Sequence, residues 1–375
     1  MSNNKDVLID MFNAGVQAVA GFNATQNALK QLGSFQPDQI IAVGKAATGM
    51  CAGALACIGT PCPALIVTKY QHSDQAMHDH PSVSIIEAAH PVPDQSSLNA
   101  GKTLLQTVSS LPESSQLLLL VSGGASSVAE HLPSDVSLAQ WQQMTATMLA
   151  AGHNIGQINT KRKQTSLIKD GKLLQAFKGK CVKVLAISDV EGDDISTIGS
   201  GIGDIKNVSG DAELQLIATN AVARTAVADK AIAQGFKVQS NLENMYQDIK
   251  TIAPQIANTL KTASPGVYIW GGEPTVILPD NPGSGGRNQS LALLLALQIK
   301  GLHNISILVA GTDGSDGPTD AAGGIINGST VPDSASANDY LQRADAGSYL
   351  RQAGDIFITG PTNTNVMDLV IAVVE

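Results

Sequence analysis

A chain of 375 residues is long for one doubly wound domain and comfortable for two. With 43% hydrophobic residues but only 3% aromatic ones, its cores must be built from Ala, Val, Ile and Leu. A net charge of −9 without a broad basic face leaves no nucleic-acid footprint, and neither a signal core at the N-terminus nor an apolar run of membrane length is present.

The elements follow a repeated grammar. Residues 5–32 read as an amphipathic helix. Gln39–Val43 reads as a strand, Gly44-Lys45-Ala46-Ala47 as a loop, and a helix runs from there to about Cys57. Strands follow at Ala64–Thr68 and Val83–Glu87, a helix at Gln95–Ser110, a strand at Leu117–Val121, a helix at Leu138–Ile155 and a strand at Val182–Ile187. Ala212–Gly235 and Leu242–Thr262 read as long helices. Strands are then predicted at Val267–Trp270, Thr275–Leu278, Ile305–Ala310, Asp355–Thr359 and Asp368–Val374, with an apolar helix at Gln289–Gln298. Continuous apolar strands alternating with helices predict an α/β protein with mainly parallel sheets. The polar stretch Gln239–Glu243 suggests a boundary between domains spanning 1–235 and 236–375. The cysteines Cys51, Cys57, Cys62 and Cys181 contain no C-x-x-C pair and read as reduced thiols of a cytosolic protein.

In open α/β sheets, ligands bind beyond the carboxyl ends of the strands. Ser122-Gly123-Gly124, Ser188-Asp189, Gly271-Gly272-Glu273, Gly311-Thr312-Asp313 and Thr359-Gly360-Pro361-Thr362 each follow an apolar run. Glycine lets backbone N–H groups approach an oxyanion, which suits a small anionic or phosphorylated ligand. Lys45 and Arg287 stand in the same kind of loop as cations able to hold it, although a snorkelling lysine and an exposed first-turn arginine are the plainer roles. Two acidic clusters, Asp189 to Asp194 and Asp313 to Asp320, could supply the one or two carboxylates that Mg²⁺ takes beside phosphates. Turn and helix caps account for several of these acids. His72, His78 and His80 lack the partners of a zinc site, Ser122 lacks a nucleophile elbow, and neither a P-loop nor a G-x-G-x-x-G follows an early strand.

Several stretches together resemble the glycerate 2-kinase family with a C-terminal MOFRL domain, whose older members were often labelled hydroxypyruvate reductase. They are Val43–Ala47, His90–Asp94, Val121–Gly124, Ile158–Lys163, Ile187–Asp194, Gly271–Glu273, Gly285–Gln289, Gly311–Gly323 and Thr359–Val366, in the family's order. The chain departs from the family's usual pattern at Ala125–Val128, Gln164 and Ile202-Gly203. The resemblance implies a Rossmann-like first domain, a smaller α/β second domain and a site in the cleft between them. It implies transfer of the γ-phosphoryl of ATP to the 2-hydroxyl of glycerate, with Mg²⁺, in a cytoplasmic monomer or homodimer. Lys45, Arg287 and Asp189 would be catalytic. Ser122, Gly123, Gly124, Ser126, Gly311, Thr312, Asp313, Thr362 and Asn365 would bind the nucleotide, and Asp189 and Asp313 the metal. Two other readings follow from the older label and from the departures: an NAD(P)H-dependent hydroxypyruvate reductase, and a non-catalytic anion-binding relative.

Overall fold

The computed structural model describes the chain except residues 1–3, 34, 60 and 152–154. Contacts divide it into two compact units. One comprises Val19–Thr219 with Asn363–Asn365; the other comprises Met1–Ala18, Asn220–Thr362 and Val366–Glu375. The division thus departs from a single cut at 235 and 236. The expected opening helix breaks into Asn4–Val19 and Gly21–Gln31, because Ala20 is extended with ψ of 130°. Each half goes to a different unit.

The first unit carries six strands: β1 Gln39–Val43, β2 Ala64–Lys69, β3 Val83–Ala88, β4 Gln116–Val121, β5 Cys181–Ile187 and β6 Asp211–Ala218. They pair in the order β3-β2-β1-β4-β5-β6, all parallel. This is the doubly wound dinucleotide-type order, in which the chain reverses direction across the sheet between β1 and β4. One face packs Ile41, Val43, Leu119, Val121, Val184 and Ala186 into an aliphatic core. Ala125 and Ile202, both departures from the family's pattern, are completely buried in that core. A Cβ on Gly199 would lie 2.9 Å from the Ala125 methyl and 3.1 Å from Ile202, so the two departures pack around one glycine.

Two corrections concern an edge strand and a helix. Asp211–Ala218 is strand β6 rather than the start of a helix, and the helix begins only at Asn220. Its Glu, Leu and Gln residues favour helix, but Ala212, Leu214 and Leu216 alternate onto the core, and pairing with β5 prevails over propensity. The Leu138–Ile155 helix is observed over Leu138–Ala150, with residues 152–154 outside the described ones, and a further helix runs Ile155–Thr165.

The second unit has β7 Val238–Glu243, β8 Gly266–Gly272, β9 Ile305–Gly311, β10 Gly323–Asn327, β11 Ile356–Phe357 and β12 Asp368–Val374. Their order is β11-β10-β9-β12-β8-β7. Only β7 and β8 run parallel; every other pair is antiparallel. Fully buried strands read as continuous apolar runs whatever their direction, so apolarity alone does not reveal it. The polar stretch Gln239–Glu243 belongs to β7, a half-exposed edge strand, and the helix after it begins at Ile249 rather than Leu242. The expected strand Thr275–Leu278 keeps only one bridge, from Thr275 to Asp248, and Ile277 is 83% exposed. Helices Ile249–Lys261 and Arg287–Gln298 cover one face through Ile252, Ile256, Leu291 and Leu295. Gly15 of the first helix lies against Val227 and Leu369. Among the described residues no helix is long and apolar enough to cross a membrane.

Candidate active site

In the first unit, the loops after β1 and β4 meet where the strand order reverses. The Lys45 N–H donates to Gly123 O at 2.8 Å, and the Ala46 N–H donates to Ser122 Oγ at 3.0 Å. Gly44 adopts a φ of +121°, and a Cβ there would come within 2.4 Å of Ser122 O, so the close approach requires glycine. Gly124, at a φ of +83°, leads into the short Ala125–Val128 helix. The Lys45 side chain passes over it: a Cβ on Gly124 would be 3.0 Å from Lys45 Cγ and 3.3 Å from His90 Cδ2.

Asp189 follows β5 and closes the other side of this loop. A Cβ on Gly123 would fall 1.8 Å from Asp189 Oδ2, so the carboxylate rests directly on the glycine backbone. Asn365 Nδ2 donates to the same Oδ2 at 3.2 Å. The structure therefore brings Lys45, Ser122, Gly123, Gly124, Asp189 and Asn365 together at one sheet edge. Ser126 lies behind them, its Oγ 2.8 Å from Ser200 Oγ, which in turn reaches Asn159 Oδ1 at 3.3 Å.

Around this loop stand further basic residues. His90 follows β3. Burial first, then the nearby charges of Lys45, Lys69, His72 and Arg162, pushes its imidazole down to about 4. Lys69 ends β2, and Arg162 comes from the Ile155–Thr165 helix. Burial also pushes the Arg162 guanidinium down, against the pull of Glu130. Glu130 itself is committed elsewhere. It pairs with Lys169, both completely buried, and accepts from Ser166 Oγ and from the His131 N–H.

The second unit gathers the remaining candidates at a single edge of its own sheet. Asp368, the first residue of β12, lies in register with Gly272 of β8 and Gly311 of β9. Arg287 Nε donates to Asp368 Oδ2 at 2.6 Å and Nη2 to Oδ1 at 3.2 Å, a two-pronged pairing. Its Nη1 lies 2.9 Å from Glu273 Oε1. Burial works against this charge, but Asp368 and Glu273 outweigh it and hold the guanidinium pKa above its ordinary value. Thr312 Oγ1 donates to Met367 O at 2.6 Å, and Thr362 Oγ1 donates to Thr312 O at 2.6 Å, which ties the Gly311 loop to the Thr359 loop. Asp313 Oδ1 accepts from the Ser315 N–H and Oγ, a turn cap. Asp316, 3% exposed, accepts from the Asn288 and Gln289 N–H groups and from Gln289 Nε2. It thereby secures the helix that begins at Arg287. Burial pushes its carboxyl up to about 6 in spite of those donors.

The two edges differ in charge. Arg287 is surrounded by Asp368, Glu273 and Asp316, whereas Lys45, Lys69, His72, His90 and Arg162 form a basic neighbourhood. Among the described residues no group of three or more His, Cys, Asp or Glu side chains converges as a metal cage. Mg²⁺ carried on phosphates needs only one or two carboxylates, and Asp189 on the Gly123 backbone offers one.

Residues 7–232 match the family described as Domain of unknown function (DUF4147), and residues 266–368 match the MOFRL family. A D-glycerate 2-kinase of Thermotoga maritima is 32% identical over 99% of this chain and 98% of its own. A glycerate 2-kinase of Pyrococcus horikoshii is 33% identical over 89% of this chain and 87% of its own. The crystal structure of a glycerate kinase from Thermotoga maritima superposes with a TM-score of 0.90 at 32% identity, covering 99% of both chains.

Proposed function

The chain belongs to the glycerate 2-kinase family, and we propose that it transfers the γ-phosphoryl group of ATP to the 2-hydroxyl of glycerate, giving 2-phosphoglycerate and ADP. The observation that carries this reading is the loop pair where β1 and β4 diverge. Glycine backbone, Lys45 and Asp189 converge there, at the place where open α/β sheets hold phosphates.

Phosphoryl transfer requires positioning and neutralisation of charge more than covalent chemistry from the protein. Ser122, Gly123 and Gly124 approach the phosphates by backbone. Lys45 neutralises charge growing on the transferred group. Asp189 would hold Mg²⁺, which would supply charge neutralisation to the phosphates. Asp313 suits that role less well, since the oxygen that accepts from Ser315 caps its own turn. Arg287 is the second cation of this reading, able to grip a phosphate or carboxylate oxygen once Glu273, the more exposed of its two partners, gives way. Four unpaired cysteines support a cytosolic setting for the same reaction.

A reductase using a nicotinamide cofactor would use the same strand order. However, the β1 loop reads Gly44-Lys45-Ala46-Ala47-Thr48-Gly49, not a G-x-G-x-x-G turn, and Lys69 rather than an acid ends β2. Incubation with D-glycerate, ATP and Mg²⁺, and separately with hydroxypyruvate and NADH, distinguishes the two. Formation of 2-phosphoglycerate is expected in the first and no NADH consumption in the second. Lys45→Ala is expected to lower kcat by about 10²–10³-fold with the fold intact; near-normal turnover would remove Lys45 from the mechanism.

A further inference from the structure

Met367 is a non-glycine residue at a φ of +69°, in the left-handed region. A residue with a Cβ enters that region at a cost and stays there only where its surroundings hold it. Met367 stands between Val366, where the chain rejoins the second unit, and Asp368, the partner of Arg287.

The carbonyls of all three residues are held by side chains. Asn220 opens the helix Asn220–Ala233, and its Nδ2 donates to Val366 O at 2.8 Å and to Asp368 O at 3.1 Å. That uses both hydrogens of the amide. Thr312 serves the residue between. Its N–H and Oγ1 donate to Met367 O at 3.0 Å and 2.6 Å, and its Oγ1 accepts from the Val366 N–H at 2.9 Å. Asn220 and Thr312 are both completely buried. The Asn220 amide is fixed against turning over, because Arg224 Nε donates to its Oδ1 at 2.8 Å. Arg224 is in turn held by Asn241 Oδ1 and, at 2.7 Å, by Glu243 Oε2. Gly271 leaves space for the amide: a Cβ there would stand 1.7 Å from Asn220 Oδ1.

The direction of the Asp368 carboxylate follows from the backbone that carries it, and relaxation of Met367 to a negative φ would turn it. Arg287 depends on that direction, since Asp368 grips it through both Nε and Nη2. Burial works to lower the guanidinium pKa, and Asp368 is foremost among the charges that outweigh it. We infer that Asn220 is a positioning residue for Arg287: with Thr312 it holds Met367 in the left-handed conformation that presents the Asp368 carboxylate to the guanidinium. Its effect on turnover rests on the kinase reading, in which Arg287 is the second cation; its effect on Arg287 does not.

The test is the rate at which phenylglyoxal, which attacks the neutral guanidine, modifies Arg287 in the folded full-length chain, followed by peptide mass spectrometry. Arg343 and Arg351, each about half exposed, are internal references. Asn220→Asp keeps an acceptor for Arg224 and removes both donors. It should label Arg287 at least about threefold faster than the parent, because the loosened guanidinium loses the charge that holds its proton, with Arg343 and Arg351 unchanged. Phe12→Ala, a cavity in the same unit, should label all three at parental rates, which separates positioning from general loss of stability. In assays with D-glycerate, ATP and Mg²⁺, at a temperature where melting shows the variant folded, Asn220→Asp should lower kcat by about tenfold or more. An unchanged rate at Arg287 overturns the inference, as does an unchanged kcat in an enzyme that Arg287→Lys slows. Should Asn220→Asp not fold, Asn220→Ser, too short to reach both carbonyls, makes the same test. Should the unaltered protein form no 2-phosphoglycerate, the kinase reading fails, and the labelling of Arg287 alone decides the positioning.

Discussion

His90 shows how one residue's surroundings become a property of the whole chain. Its imidazole is held down to about 4 in the folded protein, against 6.5 for an ordinary histidine. Between those values the unfolded chain takes up a proton that the folded chain refuses. The contribution to stability is therefore complete above about 6.5 and lost as pH falls through about 4. His90→Gln removes this titration, so the slope of Tm against pH between those limits should flatten. A slope as steep as before would place the titration on another group. The histidine itself was visible in the sequence within His90–Asp94, but its environment was not. Lys45, Lys69 and Arg162 are far apart along the chain, and only the fold brings their charges to bear on His90. Lys45, Ser122-Gly123-Gly124 and Asp189 were legible for the opposite reason: each directly follows a continuous apolar run, and a strand end is a position that sequence can mark. Arg287 was legible as a cation but not as one already paired. Its partner Asp368 opens an apolar strand and carries no local sign of its role.

At the level of elements, the predicted spans held where pattern and end signals agreed. Helix Gln95–Ser110 is bounded by Asp94, whose side chain accepts from the Ser97 N–H in a capping box, and strand Asp368–Val374 is buried along its whole length. Two of the misread segments, β6 and β7, are edge strands, whose exposed faces dilute the apolar signal. One interaction between elements makes its own prediction. The Glu130–Lys169 pair joins the segment after the Ala125–Val128 turn to the segment after the helix that carries Arg162, and both side chains are fully buried. Burial pushes the Lys169 amine down, against the opposing pull of Glu130. Lys169→Met leaves Glu130 buried without its cation, which should destabilise the protein by roughly 3–5 kcal/mol in denaturant unfolding. Glu130→Gln combined with Lys169→Met should recover much of that loss, because no lone charge remains. A single variant as stable as the parent would show that water reaches Glu130 in the fold.

For the molecule as a whole, the path of the chain governs what can fold alone. The chain begins in one unit, crosses to the other at Val19, returns at Asn220 and visits the first again at Asn363–Asn365. Composition suggested a cut near residue 236, since a polar stretch resembles a linker, yet that stretch is strand β7. Two helices that precede it, Asn4–Val19 and Asn220–Ala233, belong to the unit that follows. Phe12 of the first helix is completely buried and meets Phe357 edge-on, with ring centroids 5.3 Å apart. Leu8 and Met11 beside it are equally buried, so the helix fills a core rather than decorating a surface. Phe12→Ala should then cost roughly 3–5 kcal/mol of stability, although the residue lies far in sequence from every strand of that unit. The stronger consequence concerns fragments. A chain of residues 236–375 retains all six strands of the second sheet but lacks both helices, and it leaves the face of Leu369 without Val227 and Gly15. It should remain without a cooperative thermal transition, whereas residues 220–375 supplied together with a peptide of residues 1–18 should regain one. A sharp transition from residues 236–375 alone would show that the first helix is dispensable to the second sheet and that composition had marked the true boundary.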